Sequence, residues 1–65
     1  MMTVNYDSET FSFRVIGDTF EFHIIEMNGI RNQYNLYYWG NSEDDAERIE
    51  RQCTELYDDL KRIDG

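Results

Sequence analysis

The 65-residue chain has no proline, one cysteine, one histidine and only six basic residues against fourteen acids. Each scarcity excludes something. A single cysteine cannot make an internal disulfide frame or a cysteine-built zinc site. Six bases in a chain of formal charge -8 argue against direct nucleic-acid binding, which draws most of its non-specific affinity from lysine and arginine. No stretch approaches the roughly 18 apolar residues of a membrane span. The opening residues Met1-Met2-Thr3-Val4-Asn5-Tyr6-Asp7 lack the basic and apolar regions of a secretion signal. These absences predict a soluble, cytoplasmic protein.

What the chain does have is ten aromatics and two differently patterned parts. At this length a domain buries only about 60% of the surface its unfolded chain exposes, which leaves room for one thin core. There is no repeat, linker or low-complexity tract, so residues 1–65 are read as one domain, with a β-meander over 1–40 and a helix over 41–65. Phe11, Phe13 and Val15 alternate with Ser12, Arg14 and Ile16; after Gly17-Asp18, Phe20, Phe22 and Ile24 alternate with Glu21, His23 and Ile25. A two-residue loop at Gly17-Asp18 pairs residues whose numbers sum to 35. That register sets Phe13 opposite Phe22, Phe11 opposite Ile24 and Val15 opposite Phe20 on one side, with Arg14 opposite Glu21 and Ser12 opposite His23 on the other.

Asn28-Gly29 suits a type I′ turn, but a two-residue loop there, with a sum of 57, would set Phe22 against Asn35 and Ile24 against Gln33. A sum of 58 sets Phe22 against Leu36 and Ile24 against Tyr34 instead, which predicts a bulge or longer loop within residues 28–33. The third strand is then about Tyr34 to Trp39, with Tyr34, Leu36 and Tyr38 inward and Asn35, Tyr37 and Trp39 outward. Thr3 to Asp7 also alternates; it is either an extra edge strand or the ragged start of the first.

From Gly40 the period changes. Ala46, Ile49, Cys53, Leu56, Leu60 and Ile63 recur at the spacing of one helix face. Ser42 is a good N-cap with Asp45 as its capping-box partner, Glu43, Asp44 and Asp45 suit the positive end of the helix dipole, and Lys61 and Arg62 suit the other end. Ion pairs four apart are expected at Asp44 with Arg48, Glu47 with Arg51 and Asp58 with Arg62. The predicted fold is α+β: a three-stranded antiparallel sheet in the order β-β-β-α, with Thr3 to Asp7 as the candidate fourth strand, packed on one long C-terminal helix. A helix over 42–63 is about 33 Å long against about 23 Å for a seven-residue strand, so Leu60 and Ile63 should overhang the sheet.

Chemistry has little to stand on. His23 has Ser12 and Glu21 as outer-face neighbours, but a working triad needs a water-excluding pocket and one sheet face supplies none. Cys53 reads as core filler. The run Glu43-Asp44-Asp45 with Glu47 lacks the alternating acids and central glycine of a calcium loop. No phosphate loop, nucleotide fingerprint or zinc spacing occurs, so neither a cofactor, a metal nor an enzymatic activity is expected.

The charge divides as -3 over residues 1–40 (two bases, five acids) and -5 over 41–65 (four bases, nine acids). Carboxylates four apart on a helix stand about 6 Å from each other, close to the spacing of successive phosphates, so an acidic stripe can occupy a groove built for nucleic acid. The expected contact surface is Glu43, Asp44, Glu47, Glu50, Glu55, Asp58 and Asp59, with Tyr37 and Trp39 as aromatic anchors. The acidic run Glu43, Asp44, Asp45, Glu47 and Glu50, in a chain this small and aromatic, resembles the small phage-encoded inhibitors of host nucleases, the anti-CRISPR and anti-restriction proteins. That resemblance implies a protein with no activity of its own, acting in the bacterial cytoplasm on a basic surface of a nuclease or CRISPR effector subunit. The alternative is a homo-oligomeric structural module, paired through the helix overhang and an exposed strand edge. A small hydrolase centred on His23 is a third reading.

Overall fold

A computed structural model describes residues 2–10, 12–27 and 30–64, with the side chains of 26, 27, 30–33 and 64 outside the description. Four strands and one helix follow in order: β1 (Thr3–Asp7), β2 (Ser12–Ile16), β3 (Phe20–Met27), β4 (Ile30–Tyr38) and α1 (Glu43–Asp64). The strands form one antiparallel sheet in sequence order. Thr3 to Asp7 is therefore a full edge strand: of the two readings left open for it, the structure takes the extra strand, and the sheet has four strands. Val4 and Tyr6 pair with Val15 and Phe13, which sets both β1 side chains on the core face.

The first hairpin departs from its expected register. Phe13 pairs with Ile24, Val15 with Phe22 and Arg14 with His23, so the pair numbers sum to 37. The Gly17 N–H donates to the Phe20 carbonyl at 2.9 Å, and the two-residue turn is Asp18-Thr19, one position later than expected. The shift is two residues, an even number, so every side chain keeps its face. The cause lies in Gly17: a Cβ there would overlap the Phe20 ring. The glycine serves as a seat for an aromatic inside the pairing, and the turn moves past it. Phe20 is 8% exposed and has little freedom to yield, so Gly17→Ala should lower stability by about 1 to 3 kcal/mol in a urea titration.

The second hairpin follows the expected register. Phe22 pairs with Leu36 and Ile24 with Tyr34, and the pairing shifts between Ile25 and Glu26, which faces Arg31. Two β4 residues there meet one step of β3, so a bulge lies within the expected interval. The expected Asn28-Gly29 turn falls outside the described residues, as does Phe11. β4 begins at Ile30 rather than Tyr34 because pairing resumes beyond the bulge, with Met27 opposite Ile30.

α1 covers one face of the sheet. Asp45 N–H donates to Ser42 Oγ at 3.3 Å, as expected of an N-cap. The reciprocal half of the capping box is replaced: Ser42 N–H donates to the Tyr38 hydroxyl at 3.2 Å, and the Asp45 carboxylate takes Arg48 at 2.7 Å. The helix crosses the sheet diagonally. It leaves beside Tyr38 at the end of β4, meets Tyr34 through Glu50, and reaches β1 and β2 where Tyr57 packs on Tyr6 and Phe13 with ring centroids 6.2 and 5.4 Å apart. Among the described residues the core comprises Phe13, Val15, Phe20, Phe22, Ile24, Cys53 and Tyr57, flanked by Tyr6, Leu36, Tyr38, Ile49, Leu56 and Leu60. Ile63 does not belong to it and is 83% exposed. The sheet ends short of it, which agrees with the expected overhang, whereas Leu60 still packs on the core. Among the described residues no helix is long and apolar enough to cross a membrane.

Candidate functional site

The two faces of the sandwich divide the expected contact residues. Glu43, Glu47 and Glu50 follow at intervals of four and three and so share one flank of α1. That flank faces β4, because the Tyr34 hydroxyl donates to the Glu50 carboxylate across the layers. The hydrogen bond with Glu50, then the negative charge of that carboxylate, then burial raise the Tyr34 pKa above its ordinary value. All three favour the neutral, donating phenol. Glu43 and Glu47 are exposed, and Glu50 is half-buried under its tyrosine contact.

Asp44, Glu55, Asp58 and Asp59 turn with the helix onto its outermost surface, where Arg48, Arg51 and Arg62 are interleaved. Arg48 pairs with Asp45, and Arg62 with Asp59, each three residues back, rather than with Asp44 and Asp58. Every arginine so engaged offsets part of the outer stripe. The Glu43–Glu47–Glu50 flank is bordered by Arg51, which lines one shallow groove with Glu47, Glu50 and Glu55, and further along by Lys61, whose ammonium stands 5.8 Å from the Tyr57 ring centroid.

Tyr37 and Trp39 lie on the other face, each 57% exposed. Trp39 is fixed at the rim of the first hairpin: its backbone N–H donates to Thr19 O at 3.0 Å and its indole N–H to Asp18 O at 3.1 Å. Tyr37 meets His23 edge-on, with ring centroids 5.9 Å apart. The open sheet face is a grid of rows set by the strand registers: Thr3, Ile16, Glu21 and Tyr37 in one, and Asn5, Arg14, His23 and Asn35 in the next. Ile25 stands one row further, opposite Ser12. The polar row thus separates it from Tyr37, and the outward apolar residues do not merge into one patch. No flat partner surface can touch the outermost helix acids and this aromatic face together; the β4 edge adjoins both the Glu43–Glu47–Glu50 flank and Tyr37.

The arrangement around His23 differs from the serine-histidine-acid grouping that the expected register implied. Arg14, not Ser12, stands opposite His23. His23 Nε2 lies 3.3 Å from Glu21 Oε1, and Arg14 is the same distance from that oxygen. The Ser12 hydroxyl is 3.0 Å from Thr10 Oγ1 instead. The grouping reads as a charge cluster on an open sheet. Among the described residues no three His, Cys, Asp or Glu side chains gather as a metal would require.

Cys53 is 6% exposed beneath the helix, and burial raises its pKa. The thiolate is thus disfavoured where the reagent is also excluded. Labelling of the native protein by a disulfide reagent should run at least about 100-fold slower than for free cysteine and rise to the free rate in denaturant, since access requires opening of the fold.

Two residues that matter were not singled out by sequence reasoning. Tyr34 was placed on the core face, but its tie to Glu50 depends on where the helix crosses β4. Tyr57 is fully buried, yet the apolar stripe was drawn through its neighbour Leu56. Three comparisons place nothing beside this chain: no family model, curated protein or solved structure matches it.

Proposed function

We propose that this protein is a non-enzymatic binding protein that sets the Glu43–Glu47–Glu50 flank against a basic site of a partner protein built to hold nucleic acid. The observation that carries the reading is the placement of these three carboxylates. They form one flank of α1 at a pitch of about 6 Å, bordered by Arg51 in the shallow groove it shares with Glu47 and Glu50, and the sheet holds Glu50 in place through Tyr34. A row of fixed negative charges steers association with a basic surface and raises the encounter rate. Asp44, Glu55, Asp58 and Asp59 add to the long-range field without belonging to the flank. Tyr37 and Trp39 serve as anchors only for a partner that wraps around the β4 edge, because they sit on the opposite face. By the likeness in size and acidity to phage inhibitors, the partner is a nuclease or CRISPR effector subunit in a bacterial cytoplasm.

Affinity capture tests the class of partner. A tagged chain should retain a protein with a nucleic-acid site, and added DNA or RNA should displace it. Retention that nucleic acid leaves unchanged contradicts the reading.

One observation favours a second reading. At the corner of the sandwich beside β1, Met2 and Val4 are 60% and 40% exposed next to an apolar recess formed by Val15, Phe20, Ile49 and Leu56. This neutral corner suits a second copy, and β1 carries no lysine or proline to blunt pairing. A mass of two chains in light scattering that persists in high salt would favour the oligomer.

A further inference from the structure

The sheet ends at β4, a nine-residue strand that pairs with β3 on one side only. Edges of this kind are normally blunted by lysine, proline, a bulge or inward charge. Over Tyr34-Asn35-Leu36-Tyr37-Tyr38 none of these occurs, and the register shift lies before this stretch, opposite Ile25 and Glu26.

The backbone here has a definite polarity. Trp39 N–H donates to Thr19 O, which makes residues 39 and 19 a hydrogen-bonded pair of the ladder. Antiparallel pairs alternate, so Asn35 and Tyr37 direct their N–H and C=O groups toward β3. Tyr34, Leu36 and Tyr38 direct theirs toward the open edge. The side chains of those three lie on the helix face, since they pair with Ile24, Phe22 and Phe20 of the core.

We propose that the β4 edge takes up an extended, basic segment of the partner as a fifth, antiparallel strand. This rests on the reading above and states how the partner is gripped. Residues of the incoming strand opposite Tyr34, Leu36 and Tyr38 form both backbone bonds and project on the helix face. They arrive next to the Glu43–Glu47–Glu50 flank. The Tyr34 hydroxyl already reaches Glu50 from β4; a strand lies about 4.8 Å further out, within the span of a lysine or arginine side chain. The intervening residues land on the outer face beside Asn35 and Tyr37, where an apolar side chain can cover the exposed Tyr37 ring. The occupant is therefore a strand that alternates basic with apolar residues.

Charge separates this occupant from a second copy. No strand of this chain alternates bases: β2 holds Arg14 alone and β4 Arg31 alone. The β1 edge does not compete for a basic strand, because it is five residues long and its helix side is the apolar corner of Met2 and Leu56.

The test uses the full chain and a nine-residue synthetic peptide alternating lysine and valine, followed by fluorescence anisotropy and by amide exchange of the protein. Saturable binding should protect the Tyr34, Leu36 and Tyr38 amides. N-methylation of the peptide's lysine amides should weaken binding at least tenfold, whereas methylation of its valine amides should change it less than twofold. Glu43→Lys, Glu47→Lys and Glu50→Lys together should also cost at least tenfold. Equal binding by all three peptides, with the glutamates still required, overturns strand addition and leaves charge docking standing. Failure of the unmodified peptide to bind overturns strand addition outright, and binding indifferent to the glutamates overturns the proposed orientation together with the role of the flank.

Discussion

Tyr57→Ala should leave the protein largely unfolded at 25 °C. Tyr57 is fully buried, and its ring joins three elements: β1 through Tyr6, β2 through Phe13 and the helix itself. Truncating a buried aromatic costs about 3 to 5 kcal/mol. At about 0.05 to 0.15 kcal/mol per residue, a chain of 65 residues has about 3 to 10 kcal/mol in total, of which this loss takes half or more. Far-UV circular dichroism and urea titration would show a lost or strongly shifted transition. Ile63→Ala is the matched control: the side chain is 83% exposed, and its loss should stay within about 0.5 kcal/mol. If the two variants melt alike, the packing described for α1 is wrong.

Reversing Glu43, Glu47 and Glu50 to lysine should abolish capture of the partner while the fold persists. Three reversals change the charge by +6, from -8 to -2, and convert the flank from attractive to repulsive for a basic site. A loss of about 100-fold in affinity, or about 2.7 kcal/mol, is expected from removing close charge pairs and replacing them with like charges. Glu43 and Glu47 are exposed, so the stability cost of their reversal should be confined to the helix-dipole interaction of Glu43 in the first turn, about 1 kcal/mol. Glu50 also accepts the Tyr34 hydrogen bond, which makes the single Glu50→Gln variant a useful companion: it retains an acceptor and removes the charge. Undiminished affinity in the triple variant would shift the contact to the Tyr37 and Trp39 face.

Much of the fold was legible because two-layer packing constrains it. Alternation assigned the side chains of Ser12 to Ile16, Phe20 to Ile25 and Tyr34 to Tyr38 to their faces, and the conflict between Asn28-Gly29 and the Phe22–Leu36 pairing required a bulge that the structure contains. The first hairpin's register was not legible. Gly17 looked like a turn residue, and both candidate registers keep the phenylalanines inward, so only the Phe20 ring lying over Gly17 decides between them. The helix stripe was drawn from aliphatic residues, which brought in Ile63 and left out Tyr57. Tyrosine at the heart of a core is invisible to a pattern that counts it as surface, and the sheet's end is invisible to a pattern that counts only along the helix. The ion pairs moved from the expected spacing of four to three at Arg48 and Arg62, a choice of rotamer that spacing alone leaves open.

The candidate site shows the same division. The spacing of Glu43, Glu47 and Glu50 placed them on one flank from sequence alone. That this flank borders β4, and that Tyr37 and Trp39 lie on the far face, depends on the diagonal path of the helix from Tyr38 past Tyr34 to Tyr57. That path is fixed by packing between distant residues, not by any local pattern.

The most direct test of an electrostatic grip by the glutamate flank is the affinity of this protein for its captured partner, measured by calorimetry as salt is raised from about 50 to 500 mM. Exposed charge pairs are screened over this range as the Debye length falls from roughly 14 Å to 4 Å. The affinity should weaken by at least about tenfold, and the triple lysine variant should show a flat or inverted dependence. An affinity that stays constant across the range, with wild type and variant alike, would contradict an electrostatic grip by the glutamate flank.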